Sequence, residues 1–465
     1  MLGVVVVVGA SLFLASSSLD PVPSAVFSTP AGTFLRAILP LFMDVNSLQE
    51  QLLVRGDEAN EASKQSEEEK EGKGATALQT GLNMFNELEG AGLLGLPYAV
   101  LLGGWASIPI LIVVGMMACF TGYCLAMCMY DESGKRVRSN YPSAGRAAFG
   151  PAGERLVVCI QVANLLSVCI VYLVLIGSTM DVLYSIEWSW LASKRIWTLI
   201  AVLTVLPTVH IGGYRKLSAL SALGILCLAA IVMVGVSAAS IQINAHGLQR
   251  MADFKWSQLP ATFSMFVFAF SAHGIFPDLE ASMAQPREFK LVVCSVFAAN
   301  IVIKAVYCYI GFLAYGEGTK QVLTANLPQA AKVATSALIV ANTLLSFALP
   351  LVPVFRRLKL LESEFPNAEV KPKLLRALWR SLIVLFCGAV AAVVPDFALA
   401  MGFMGSLTLA FLTFIFPTVF FMRLHWAHIT VVSAACCCTI ALVGCLGCAA
   451  GIASNIALAA NVTMI

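Results

Sequence analysis

From Thr76 onward the chain repeats one pattern, an apolar run of about 20 residues followed by a short polar loop. Each run is long enough to cross a hydrocarbon core of about 30 Å as a helix rising about 1.5 Å per residue. The pattern predicts eleven such segments, near 77–102, 105–130, 155–182, 196–210, 217–240, 260–283, 290–315, 330–355, 375–394, 397–421 and 429–452. The 196–210 segment is the weakest of them. Upstream, residues 2–15 form a leader-like apolar stretch, and the Glu-, Lys- and Ser-rich run Glu61 to Lys73 has too little apolar surface to fold. Residues 1–74 therefore read as a hydrophobic stretch plus a disordered tail, and 75–455 as a transmembrane domain.

Loop charges orient the chain. Loops after the even-numbered segments carry seventeen Lys and Arg, including Arg136, Arg138, Arg215, Arg287 and Arg356, against six on the other side. Cytoplasmic loops hold that excess, which places the tail in the cytoplasm and the C-terminus in a lumen or outside. A cleaved leader would invert this.

Composition agrees with a bilayer as solvent: 59% of the 465 residues are hydrophobic and 12% charged, with a net charge of only +3. No basic patch interleaved with aromatics suggests a nucleic-acid partner. All fourteen cysteines lie in apolar runs, where the thiol packs as a small hydrophobe, so neither a metal site nor a cofactor is expected. No phosphate-binding GxxxxGK[ST] loop occurs, which excludes ATP as the direct driver.

Two segments are interrupted. The first packs Gly90, Gly92, Gly95 and Pro97 into its middle, and the sixth has Ser271 to Gly274 and Pro277. Glycine costs about 1 kcal/mol in a helix interior and proline deletes a hydrogen bond, so each break frees backbone groups that need partners from protein, water or ligand. An opened helix offers amides to a carboxylate and carbonyls to an ammonium or cation. Breaks recurring five helices apart point to an inverted-repeat carrier with its site at the repeat interface, although small residues also permit plain helix packing.

The residues at these breaks and in the loops carry a family resemblance. Gly90-Ala-Gly-Leu-Leu-Gly-Leu-Pro-Tyr-Ala99 with Gly103-Gly-Trp105, Phe120-Thr-Gly122 and Tyr141-Pro-Ser-Ala-Gly-Arg-Ala-Ala-Phe-Gly-Pro-Ala-Gly153 resemble the amino acid/auxin permease family. Phe270-Ser-Ala-His-Gly-Ile-Phe-Pro277, Tyr315-Gly-Glu317 with Asn326-Leu-Pro328, and Leu344-Leu-Ser-Phe-Ala-Leu-Pro350 extend the match to nearly all of 76–450. The likeness is to the branch of vacuolar and vesicular amino acid transporters more than to sodium-coupled ones. It implies eleven helices in a five-plus-five inverted repeat (the LeuT-like amino acid transporter fold), amino acid substrates, and alternating access. On that footing Asn86, Gly90, Ala91, Gly92, Phe270, Ser271, Ala272 and His273 are the expected substrate-binding residues. A vacuolar, lysosomal or vesicular membrane is favoured over the plasma membrane.

Glu87 and Glu89 depart from relatives, which have small or neutral residues there. A carboxylate inside a membrane helix costs about 2.5–3.5 kcal/mol on insertion scales and faces water or a partner. Glu87, Glu89, His273, Asp278 and Glu280 are candidates for proton coupling, with Glu280 equally able to pair with Arg287. Lys304, mid-way along the seventh segment, needs a carboxylate or carbonyl partner. Sodium would need hard oxygen ligands. The eighth segment offers only Ser346, with Ala348 where sodium-coupled relatives have a second hydroxyl, so H+ is favoured over Na+. A non-transporting amino acid sensor is the other reading. A membrane enzyme finds no support in paired aspartates or an HExxH motif.

Overall fold

A computed structural model describes residues 74–184, 194–210, 214–355, 372–394 and 396–463. The leader-like stretch and polar tail lie outside them. The named elements among the described residues are all helical, and β-pairing among them is limited to isolated bridges. Nine of the described helices are long and apolar enough to cross a membrane.

The first predicted segment is two helices. Helix α1, Ala77–Leu88, begins at a reciprocal cap in which Thr76 and Gln79 each bond the other's backbone amide. Helix α2, Leu96–Gly103, follows a 3-10 turn at Ala91–Gly95. It runs through a tight turn at Gly104 (φ 60°) into α3, Ser107–Met127. By length and composition Gly92–Met127 counts as one apolar span, yet the turn at Gly104 divides it where the hydropathy pattern does.

Helix α4, Tyr141–Tyr184, contains the predicted third segment and also most of what reads as a loop in sequence. Its two parts meet at Phe149 and Gly150, where Gly150 has φ 67° and Pro151 starts the longer part. Helix α5, Lys194–Val205, has 12 residues, about 18 Å, followed by a short turn at Thr208–His210. That length falls short of a bilayer, so the 196–210 segment is not among the nine spans. Helix α6 covers Tyr214–His246.

The sixth segment is again divided, into α7, Leu259–Ala269, and α8, Phe276–Ala281, separated by a 3-10 turn at His273–Ile275. Proline lies in the first turn of both α2 and α8, where its missing amide hydrogen costs nothing. Helices α9, Phe289–Tyr315, α10, Gln329–Ser346, α11, Pro372–Val393, and α12, Phe397–Met404, follow. Helix α12 passes through two π turns, Gly405–Leu409 and Phe411–Ile415, into α13, Phe416–Leu424, and α14 is Val431–Thr463.

Packing brings the breaks together around α9. Helix α9 contacts α1 and α2 on either side of the first break as well as α3 and α6. Helix α7 contacts α2, α12 and α14. The approach of α7 to the α12 span is so close that a Cβ at Gly405 would lie 1.9 Å from the Ser264 carbonyl oxygen. A second close approach joins the chain ahead of α1 to the chain behind α8. The Ala75 amide donates to Ser282 O at 2.7 Å and the Ala284 amide to Ala75 O at 2.9 Å.

Candidate substrate and ion site

The first break opens at Glu89. The Glu89 amide still donates to Phe85 O at 2.9 Å, but its ψ of 50° turns the chain out of the helix and Gly90 is extended. The carbonyls of the last turn of α1 thereby lose their helical partners. One of them, Leu88 O, accepts a hydrogen bond from Lys304 Nζ at 2.9 Å. Lys304 also donates to Asn300 Oδ1 at 2.5 Å, one turn earlier on α9, and lies 5.0 Å above the centre of the Phe270 ring.

The nearest charge is Glu89, whose Oε1 is 3.8 Å from Nζ. Lys304 is 0% exposed and Glu89 9%. At 3.8 Å the two attract without a hydrogen bond, and both Glu89 oxygens are buried without a donor. The sequence requirement that Lys304 find a carbonyl or carboxylate is met by the carbonyl, 216 residues away in the chain, with the carboxylate beside it.

Asn86 and Glu87 occupy the last turn of α1. Asn86 is half-buried and Glu87 is exposed. Ala91 begins the 3-10 turn. The two glycines differ: a Cβ on Gly92 would lie 2.7 Å from the Phe268 ring, whereas Gly90 has only Glu87 O near, at 3.9 Å. Gly92 is therefore a packing contact with α7, and the space is beside Gly90.

At the second break, Phe270 is fully buried and stacks on Phe297 at 6.4 Å. Ser271 accepts from Thr413 Oγ1 at 2.9 Å, which ties the break to the second π turn. Ala272 is buried, with φ −135°. The His273 ring is wholly buried, with Nε2 3.1 Å from Ala118 O and 3.0 Å from Thr121 Oγ1. A carbonyl only accepts, so Nε2 carries the hydrogen and Nδ1, which has no partner, is a bare acceptor. A Cβ on Gly274 would meet nothing within 4 Å.

The remaining candidates lie elsewhere. Asp278 is exposed in the first turn of α8. Glu280, 1% exposed, is paired with Arg136 Nε at 2.8 Å and with the Tyr130 hydroxyl, where the sequence suggested Arg287 as its partner. Arg136 also donates to Pro277 O at 2.9 Å. Ser346 faces α6, near enough that a Cβ on Gly224 would lie 3.1 Å from its hydroxyl.

Sequence reasoning missed Asn300, Thr121, Thr413, Tyr130 and Arg136, because each is a neutral or loop residue that meets its partner only through the tertiary fold. The π turns were equally hidden. In the second of them Leu412 O accepts from the buried Tyr141 hydroxyl at 2.8 Å.

A family model described as transmembrane amino acid transporter protein matches residues 73–457. The vesicular inhibitory amino acid transporter of Xenopus tropicalis is 31% identical over 381 residues, covering 76% of this chain and 71% of that protein. The protein of the same name from Homo sapiens is 31% identical over 380 residues, covering 76% and 70%. The amino acid transporter AVT1C of Arabidopsis thaliana is 30% identical over 378 residues, covering 79% and 66%.

Proposed function

Since the chain belongs to the transmembrane amino acid transporter family, we propose that it is a secondary active carrier of neutral or small amino acids, driven by protons and working by alternating access. The observation that carries this reading is the pair of helix breaks with open space beside Gly90 and Gly274. Bare backbone can be approached closely there. Amides at the start of the Ala91–Gly95 turn suit the substrate carboxylate, and carbonyls at the end of α1 and α7 suit its ammonium group. Asn86, Ser271 and the unpartnered Nδ1 of His273 supply the polar side chains, with Phe270 and Ala272 as apolar walls.

The proposed architecture is eleven helices in a five-plus-five inverted repeat. The segments divided at Gly90 and Ala272 hold equivalent places in the two halves. Lysine and arginine distribution puts the N-terminus in the cytoplasm. The relatives named vesicular, with the resemblance in the sequence, favour a vacuolar, lysosomal or vesicular membrane. Glu89 is the proposed proton acceptor, because it is a buried carboxylate without a hydrogen-bond donor and a proton would relieve that state. The position of Ser346 against Gly224 argues against its use in a sodium site beside Leu88 and Glu89.

Purified protein in proteoliposomes, screened over the amino acids with an imposed pH gradient, tests the reading. Accumulation of at least one neutral amino acid, collapsing when the gradient is dissipated, is expected. Counterflow that ignores both proton and sodium gradients would remove the coupling and keep the carrier. Measurable binding without flux would make the protein a sensor instead.

A further inference from the structure

The environment of Lys304 Nζ is a set of hard oxygen donors at a broken helix. A backbone carbonyl lies at 2.9 Å, an amide oxygen at 2.5 Å and a carboxylate oxygen at 3.8 Å. Carbonyl, amide and carboxylate oxygens at an unwound helix end are what an alkali cation binds. We propose that the Lys304 ammonium is a tethered cation filling an alkali-metal position at the first break, and that the carrier consequently works without sodium.

Three features carry this. Lys304 and Asn300 are both fully buried, so the ammonium cannot reach water or the membrane surface and its charge has to be met on the spot. Its donors go to α1 and to its own helix, bridging the end of α1 to α9 as a shared metal ion would. The carboxylate beside it, Glu89, balances the charge and its oxygens have no hydrogen-bond donor. A metal ion could leave during the cycle, whereas a lysine cannot. The positive charge at the break is thus permanent, and a sodium gradient has nothing to move there.

The inference rests on the carrier reading for its transport half and on geometry alone for its binding half, which the following measurements separate. In full-length protein held in detergent, the wild-type melting temperature should be the same in sodium chloride and choline chloride. Lys304→Ala deletes the ammonium and its stem and leaves the three oxygens facing a vacant space. It should gain a saturable rise of a few degrees in sodium chloride over choline chloride, because a ligand that binds only the folded state raises its stability. Lys304→Ala/Glu89→Gln lacks the carboxylate charge and should lose that rise.

A well-folded Lys304→Ala with no saturable response to sodium, lithium or potassium would overturn the proposal. Should that variant not be recoverable, the wild type decides. A sodium-dependent melting temperature or sodium-dependent counterflow overturns the proposal, and equal values in sodium and choline support it. Uptake of an amino acid by the wild type in proteoliposomes under an imposed pH gradient tests the carrier reading independently.

Discussion

Arg136 ties α8 to the loop after α3 through two hydrogen bonds. Its Nε bonds Glu280 Oε2 at 2.8 Å and its Nη2 bonds Pro277 O at 2.9 Å, so Arg136→Ala deletes both and leaves Glu280 with the Tyr130 hydroxyl alone. Breaking a fully buried ion pair costs about 3–5 kcal/mol. Glu280 is 1% exposed but Arg136 is 26% exposed, so solvent recovers part of that and about 2 kcal/mol is expected. At about 1.4 kcal/mol per decade, the local opening equilibrium shifts about 30-fold.

Hydrogen–deuterium exchange reads that shift at named amides. Val137 and Arg138 donate to Met129 O, and Ala284 donates to Ala75 O. All three should exchange about 30-fold faster in Arg136→Ala. In Arg136→Ala/Glu280→Gln both Arg136 bonds are still missing but no charge is stranded, so the cost falls to about 1 kcal/mol and exchange should fall back to about 5-fold above wild type. The reasoning is refuted if the single variant exchanges within about 3-fold of wild type, or if the double variant exchanges as fast as the single.

Other predictions concern the breaks. Gly92→Leu should insert in the membrane and run as a monodisperse peak on gel filtration yet give no uptake, because its side chain meets Phe268 already at the Cβ, 2.7 Å from the ring. Gly90→Ala has room and an ordinary φ of −82°, so its melting temperature should match wild type while substrate uptake falls; unchanged uptake would place the substrate elsewhere. Glu89→Gln should retain counterflow and lose accumulation driven by a pH gradient. Retained gradient-driven accumulation would assign the proton to another group.

The positions of both breaks were legible in the sequence because their causes are local. Clustered as they are, Gly90, Gly92 and Pro97, or Gly274 and Pro277, weaken the helix locally. Helix ends at Leu88 and Ala269 followed directly. What fills each break was not legible, since it depends on residues far along the chain. Lys304 reaches Leu88 O across 216 residues and Arg136 reaches Glu280 across 144. Span boundaries failed for a similar reason. Hydropathy sees apolar length and not hydrogen bonding, so it overestimated the reach of α5, while its division near Gly104 coincides with the turn between α2 and α3. It likewise gave Tyr141 to a loop, although that residue starts a helix docked by edge-on contacts with Phe416 and Phe420.

The two backbone hydrogen bonds of Ala75, to Ser282 and Ala284, join α1 and α8 end to end at their far ends from the breaks. A Cβ at Gly74 would lie 2.4 Å from the Ala284 amide nitrogen, so the seam excludes even the smallest side chain. Helices α1 and α8 are in this way two arms of a single lever with pivots at Gly90 and Ala272. Helix α1 cannot turn about Gly90 without carrying α8 with it. A pull on the chain ahead of Gly74 is delivered to both at once, without any side chain relaying the signal.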